Sequence, residues 1–214
     1  MNKQEVFQKL INEESSTKQR LFYSAVYLFS AKGYSNVGIR ELCRSVNIKE
    51  SAFYNHYGSK QELFNSILEY FTETSGKVVF DEDEIERIVQ SGDIRHFFIE
   101  NMKKFSSITG NPLYHTILQV VFMECYTNNK AYKLAKNNLY YLRKEYTEKV
   151  LTRMIKNGSI KDCNVEQITV EYYYGLKGLL DEFLLHEVWN ESTEEIRERI
   201  VKHIDFFVEL LKKE

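Results

Sequence analysis

The chain has 214 residues, 43% of them apolar and 14% aromatic, with a formal net charge of −2, nine glycines and one proline. That length can bury one large core or two modest ones, and so few turn-forming residues exclude a β-rich chain, so an all-α fold of about ten helices is expected. Cys43, Cys125 and Cys163 are odd in number and lack CxxC spacing, which excludes a disulfide framework or zinc ribbon and fits reduced thiols in a cytoplasmic protein.

The first twenty residues mix polar and apolar types without a continuous apolar run, so neither a signal peptide nor a membrane span is expected. Charge is unevenly spread. Residues 15–60 hold seven Lys or Arg against two Glu, a net of +5, while the rest of the chain is acidic. A basic head on an acidic body points to a polyanionic partner at one end.

Ser16 with Gln19 starts a first head helix by the capping-box pattern, and Leu21, Ala25, Leu28 and Phe29 give it one apolar face. Ile39, Leu42, Cys43 and Val46 supply a short second helix. Asn47 falls at a turn that tolerates a left-handed backbone, and Ile48, Phe53 and Tyr57 anchor a third. Two short helices joined by a tight turn and braced by another make a helix-turn-helix domain, expected over residues 15–62. On the third helix Phe53 and Tyr57 share the inner face, leaving Glu50, Ser51, Tyr54 and Asn55 outward to enter a major groove.

The chemistry of the outward residues suits DNA. Thr17, Lys18, Lys60 and the Tyr54 hydroxyl fit phosphate oxygens, and Lys49, standing where a Ser or Thr cap is usual, adds a phosphate-seeking cation. Asn55 can read an adenine edge, Ala52 can meet a thymine methyl, Glu50 can accept from cytosine N4, and His56 fits the backbone.

GYSNVGIRELCRSVNIKESAFYNHYGSKQELF resembles the N-terminal signature of the tetracycline-repressor (TetR) family of bacterial transcriptional regulators, through FSAKGY, an R-x-[IL] helix and S-x-x-Y-x-H-Y-x-x-K. The resemblance covers about residues 17–68. It implies DNA contacts from Arg40, Glu50, Ser51, Ala52, Tyr54, Asn55, His56 and Lys60, a homodimer, and a small-molecule inducer site in the body.

A helix starting at Ser59 with Glu62 leads into the body, residues 63–214, expected to bind ligand and dimerise. Further starts are Asp81, Asp93, Asn111 before Pro112, Asn164 with Gln167, and Ser192 with Glu195, with Gly33, Gly58, Gly110 and Gly158 as candidate ends. LYHTILQVVFMECY is apolar nearly all round, so its helix should be deeply buried, and Glu124 within it needs a partner. That partner is either a lipophilic cation or an Arg, Lys or Tyr of the same chain. With Phe98, Met102, Phe105, Phe122, Met123, Tyr126, Tyr141 and Tyr173 it forms the candidate lining for a small hydrophobic or cationic ligand, ordinary core packing being the alternative for each aromatic.

The last two helices carry Ile168, Tyr172, Leu176, Leu179 and Phe183, then Ile196, Ile200, Ile204, Phe207 and Leu211, at helical spacing, and Gly175 permits close approach. Two such helices from each subunit would form a four-helix dimer interface, and packing within one subunit is the alternative. His96 with Glu100 and His186 beside Glu187 lack a third convergent ligand, so no metal, cofactor or catalytic residue is expected. The resulting expectation is a ligand-released homodimeric repressor of a palindromic operator. A regulator without inducer, acting as activator or architectural factor, is the alternative. An all-α enzyme carrying a helix-turn-helix is disfavoured by the absence of HExxH, GxSxG or a phosphate-binding glycine loop.

Overall fold

The computed structural model describes residues 2–138, 142–189 and 191–213. Among these it contains twelve α-helices, one 3-10 turn and no strand: α1 (Lys3–Glu13), α2 (Thr17–Lys32), the 3-10 turn (Tyr34–Asn36), α3 (Ile39–Ser45), α4 (Glu50–Phe53), α5 (Lys60–Gly76), α6 (Glu82–Ser91), α7 (Ile94–Thr109), α8 (Pro112–Glu124), α9 (Asn129–Lys136), α10 (Leu142–Lys156), α11 (Val165–Trp189) and α12 (Glu194–Leu211). No described helix is long and apolar enough to cross a membrane.

Most helix starts follow their caps. Ser16, Ser59, Asp81, Asn111 and Asn164 each accept from a backbone N–H in the first turn that follows. Asp81 and Glu84 complete a reciprocal capping box. The predicted start at Ser192 is one residue early, because Thr193 stands at the N-cap of α12 without a side-chain cap bond. Helices α1 and α9 were not expected. Asn2 caps α1 by a box with Glu5, and Asn128 caps α9 by accepting from Ala131 N–H, both signals too short for an apolar-stripe reading to find.

The chain divides into two compact units that do not follow chain order. The first comprises Met1–Val78 and Phe105–Leu139, the second Val79–Lys104 and Tyr140–Glu214. In the first unit α2 runs through the middle, packed against α1, α3, α5 and α8. Leu21, Ala25, Val26 and Phe29 of α2 are fully buried, as are Phe64, Ile67 and Phe71 of α5 and Ile117 and Val121 of α8. Phe71 and Tyr114 stack at 6.1 Å, and the Tyr114 hydroxyl meets Ser75 Oγ at 2.8 Å, so α5 and α8 are joined by ring contact and a buried hydrogen bond. The N-terminal α1 covers α2 with Phe7 and Ile11.

The second unit is built from α6, the start of α7, α10, α11 and α12 around Phe97, Phe98, Val150, Leu151, Tyr172 and Ile204. Gly92 ends α6 in a left-handed cap at φ 68°, a conformation that excludes most side chains.

Candidate nucleic-acid interface

The head is a helix-turn-helix whose turn depends on Asn47, the only described non-glycine residue with positive φ, at 56°. Helix α3 ends at Ser45, and the Asn47 and Ile48 amides bond back to Arg44 O and Cys43 O, closing the turn. Arg20 Nη2 donates to Val46 O at 2.8 Å, and Ser24 and Ser45 share a short hydroxyl contact, so α2 holds the turn through side chains.

Helix α4 is a single turn, continued by helical-type bonds from Asn55 to Ala52 O and from His56 and Tyr57 to Phe53 O. It is short because Lys49 gives no side-chain cap and Gly58 follows the last bond. Phe53 and Tyr57 are buried, fixing the segment to its scaffold. The opposite side is open: Glu50, Ser51 and Asn55 are exposed, Tyr54 is 59% exposed, and Ala52 and His56 are half-buried. Arg40 of α3 lies outward with its Nε 3.7 Å from Glu50 Oε1, a solvent-exposed pair worth little as a stabilising contact. Lys18 and Lys49 are exposed and Thr17 half-buried, with Lys18 Nζ 5.3 Å from the Tyr57 ring centre. Arg44 was missed by the sequence reading. It is exposed one turn after Arg40 on α3, and that i, i+4 spacing was the available signal.

Lys60 requires a correction. Its ammonium donates to Tyr34 O at 2.9 Å and Val37 O at 2.8 Å, and sits 4.2 Å from the Tyr34 ring centre. Two carbonyls already take its donors, so it closes the 3-10 turn instead of reaching out to phosphate. Burial lowers its pKa, and the nearby Glu124 carboxylate works in the opposite sense.

Glu124 is satisfied from within the first unit. It is buried, and its Oε1 accepts the Tyr34 N–H at 2.8 Å, which leaves a cationic ligand without the carboxylate expected to hold it. The other lining candidates are divided. Phe98 and Tyr173 are buried and Met102 half-buried in the second unit, whereas Phe105 and Phe122 belong to the first. Met123 and Tyr126 are 42% and 90% exposed, placed on the surface by the helical turn that follows α8. Tyr141 lies outside the described residues.

The face predicted to dimerise is interior instead. Tyr172, Leu176, Ile200, Ile204, Phe207 and Leu211 are buried in the core of their own unit, with Ile168, Leu179 and Phe183 packed against them. Gly175 is covered by its own chain: a Cβ there would lie 2.5 Å from His203 Cε1. Periodicity located the buried faces of α11 and α12 but could not say whose core they enter. The opposite face of both helices exposes Tyr174, Leu185 and Trp189 on α11 and Phe206 and Leu210 on α12. Among the described residues no three His, Cys, Asp or Glu side chains converge as metal ligands.

A small helix-turn-helix head carried on an all-helical body defines the class. Residues 21–67 match the model of bacterial regulatory proteins of the tetR family, and the chain belongs to that family by this head. Over 52 residues it is 36% identical to the biofilm operon icaADBC HTH-type negative transcriptional regulator IcaR of Staphylococcus epidermidis, a match covering 24% of this chain and 28% of IcaR. IcaR of Staphylococcus aureus is 36% identical over 47 residues, 22% of this chain and 25% of its own length. The chain thus matches about a quarter of these relatives. Solved structures share the fold over nearly the whole chain. A transcriptional regulator from Saccharomonospora viridis in complex with choline aligns with TM-score 0.60 and 17% identity, covering 94% of this chain and 100% of that one. A TetR-family regulator from Pseudomonas syringae aligns with TM-score 0.62 and 15% identity over 94% and 99%.

Proposed function

We propose that the protein is a DNA-binding transcriptional repressor that acts as a homodimer on a palindromic operator and leaves it when a small molecule binds the body, with residues 15–62 as the DNA-reading domain and residues 63–214 as the ligand-binding and dimerising one. The observation that carries this reading is the outward face of α4 and its continuation, where Tyr54 stands 59% exposed beside exposed Asn55 while Phe53 and Tyr57 anchor the other side. A large aromatic held rigidly in water next to Arg40, Arg44 and Lys49 is matched to a nucleic-acid groove. The name of the IcaR relatives, negative transcriptional regulators, supports the sign of regulation. The choline complex of a structural neighbour supports small-molecule binding in this fold.

Dimerisation uses the exposed apolar row on α11 and α12, not the buried one. Tyr174, Leu185, Trp189, Phe206 and Leu210 on two adjacent helices offer a self-complementary surface to a second copy, with exposed Gly178 letting the backbones approach. Two such heads would read half-sites roughly 34–36 Å apart.

Fluorescence anisotropy with DNA from upstream of the protein's own gene tests the reading. Binding should be salt-sensitive, and Tyr54→Ala should weaken it about tenfold while leaving thermal stability within a degree or so. Absence of any salt-sensitive complex, or equal affinity of Tyr54→Ala for the bound site, would refute the assignment.

A further inference from the structure

The second unit holds a polar cluster in its interior that an apolar core does not require. Asn101 of α7 donates from Nδ2 to the Tyr173 hydroxyl at 2.9 Å and accepts the Tyr146 hydroxyl on Oδ1 at 2.9 Å, and Thr147 Oγ1 lies 2.8 Å from Tyr173 OH. All four side chains are buried. Beside them, Thr169 Oγ1 and Tyr172 OH are fully buried with no hydrogen-bond partner. Thr169, Tyr172 and Tyr173 are three and four residues apart, so they share one face of α11. Leaving a buried hydroxyl unmatched costs free energy, so two of them on one face mark a place that hydrogen-bonds to something else.

Arg143 of α10 gives that place a charge. It is buried at 5% exposure, and a guanidinium carries five N–H donors in a planar fork suited to carboxylate geometry. Its field reaches the two phenols. Burial, and after it the neighbouring Tyr173, push the Tyr146 and Tyr172 hydroxyls well above the ordinary tyrosine value, while Arg143 pulls both down. The surroundings are aromatic and apolar: Phe98 stacks on Tyr172 at 4.4 Å, and Phe207 meets the same ring at 5.3 Å. Glu124, the acid expected to attract a cation, belongs to the other unit and accepts the Tyr34 amide.

From this juxtaposition we infer that the second unit binds a small organic carboxylate with an apolar body, its charged group received by Arg143 and the Tyr172 hydroxyl, with Thr169 beside them and its body against Phe98 and Phe207. The inference rests on the reading of the body as ligand-responsive and fixes the ligand's charge. Neutral isosteres lack the charge that the guanidinium fork receives, and cations are repelled by it.

The test uses the full-length protein with benzoate, 4-phenylbutyrate and octanoate, each paired with its amide, and with benzyltrimethylammonium as the cation. Thermal shift and titration calorimetry read binding, and anisotropy on the operator reads DNA release. A carboxylate should bind at least about tenfold more tightly than its amide. Tyr172→Phe, which keeps the ring and deletes only the unmatched hydroxyl, should weaken that binding several-fold, and Arg143→Gln should abolish it. Should Arg143→Gln fail to fold, Tyr172→Phe carries the test. The inference is overturned by amides binding as tightly as acids, by stabilisation from the cation alone, by Tyr172→Phe binding carboxylate like the parent, or by no carboxylate binding at all, which would mean that these hydroxyls hold water only. Carboxylate binding that leaves DNA affinity unchanged would uphold this site and refute ligand release. DNA release by the cation with no response to carboxylates would do the reverse.

Discussion

The two units use polar side chains in opposite ways. In the first, buried or half-buried polar groups bond to backbone: Lys60 to two carbonyls, Arg20 to Val46 O, Glu124 to the Tyr34 amide. In the second, they bond to each other, through Asn101, Tyr146, Thr147 and Tyr173. A side chain clamped to a carbonyl fixes the path of the chain, as a head that must present Tyr54 and Asn55 in one geometry requires. A network of side chains can exchange partners without moving the backbone far, as a body that answers to a ligand requires.

The largest effects should come from the second unit's helices, where burial and exposure alternate along α12. Phe207→Ala should cost about 3–5 kcal/mol of folding stability, because the ring is buried against Tyr172 and His203. Its neighbour Phe206 is 62% exposed, and Phe206→Asp should leave folding nearly unchanged while shifting the protein toward monomer in sedimentation at micromolar concentration. If Phe206→Asp remains dimeric and Phe207→Ala is a stable monomer, the assignment of the two faces is reversed.

Next comes the contrast between network and clamp. Asn101→Leu removes the donor to Tyr173 and the acceptor for Tyr146 together, so a loss of roughly 1–3 kcal/mol for each hydroxyl left unmatched should appear in urea unfolding. Lys60→Met should cost about 1–3 kcal/mol by freeing Tyr34 O and Val37 O. The salt dependence of DNA binding discriminates further: a lost phosphate contact lowers the slope by about one, whereas a lost clamp lowers affinity with the slope unchanged. The structure requires the second outcome.

How much of this was legible in the sequence follows from the range of each interaction. Ser59 and Glu62, or Asp81 and Glu84, cap helices within four residues, so local spacing found them. The helix-turn-helix was legible for the same reason, with Phe53 and Tyr57 inward, Tyr54 outward, and Asn47 at the positive φ of its turn. Lys60 was misjudged because its acceptors lie 26 and 23 residues away, in a turn that no periodicity marks. Glu124 takes its amide from 90 residues away. The stripe on α12 was real, but an apolar face looks the same whether it meets its own α11 or a partner's. Arg143 gave no signal, since one arginine on a helix rich in charge is ordinarily solvated and only tertiary packing buries it.

The smallest effect concerns His203, which lies where α11 and α12 cross, under Gly175 and stacked on Tyr172 at 5.3 Å. Its Nε2 is 2.9 Å from Tyr172 O, and since a carbonyl only accepts, that nitrogen carries the proton. Burial lowers its pKa below the ordinary 6.5, the bond to Tyr172 O opposing this in part. The unfolded chain therefore binds a proton more readily than the folded one, so the contribution of His203 is fully present above about pH 6.5 and is lost as pH falls through the lower folded value. Thermal melts of the parent and of His203→Gln between pH 8 and pH 5 isolate it from the four other histidines. The gap between the two should narrow toward pH 5, and a gap that widens on acidification would mean that the ring is held charged at the crossing, contrary to its burial. Because this ring separates the buried face of α12 from the exposed one, the same melts ask how firmly the second unit holds the surface that it offers to a second copy.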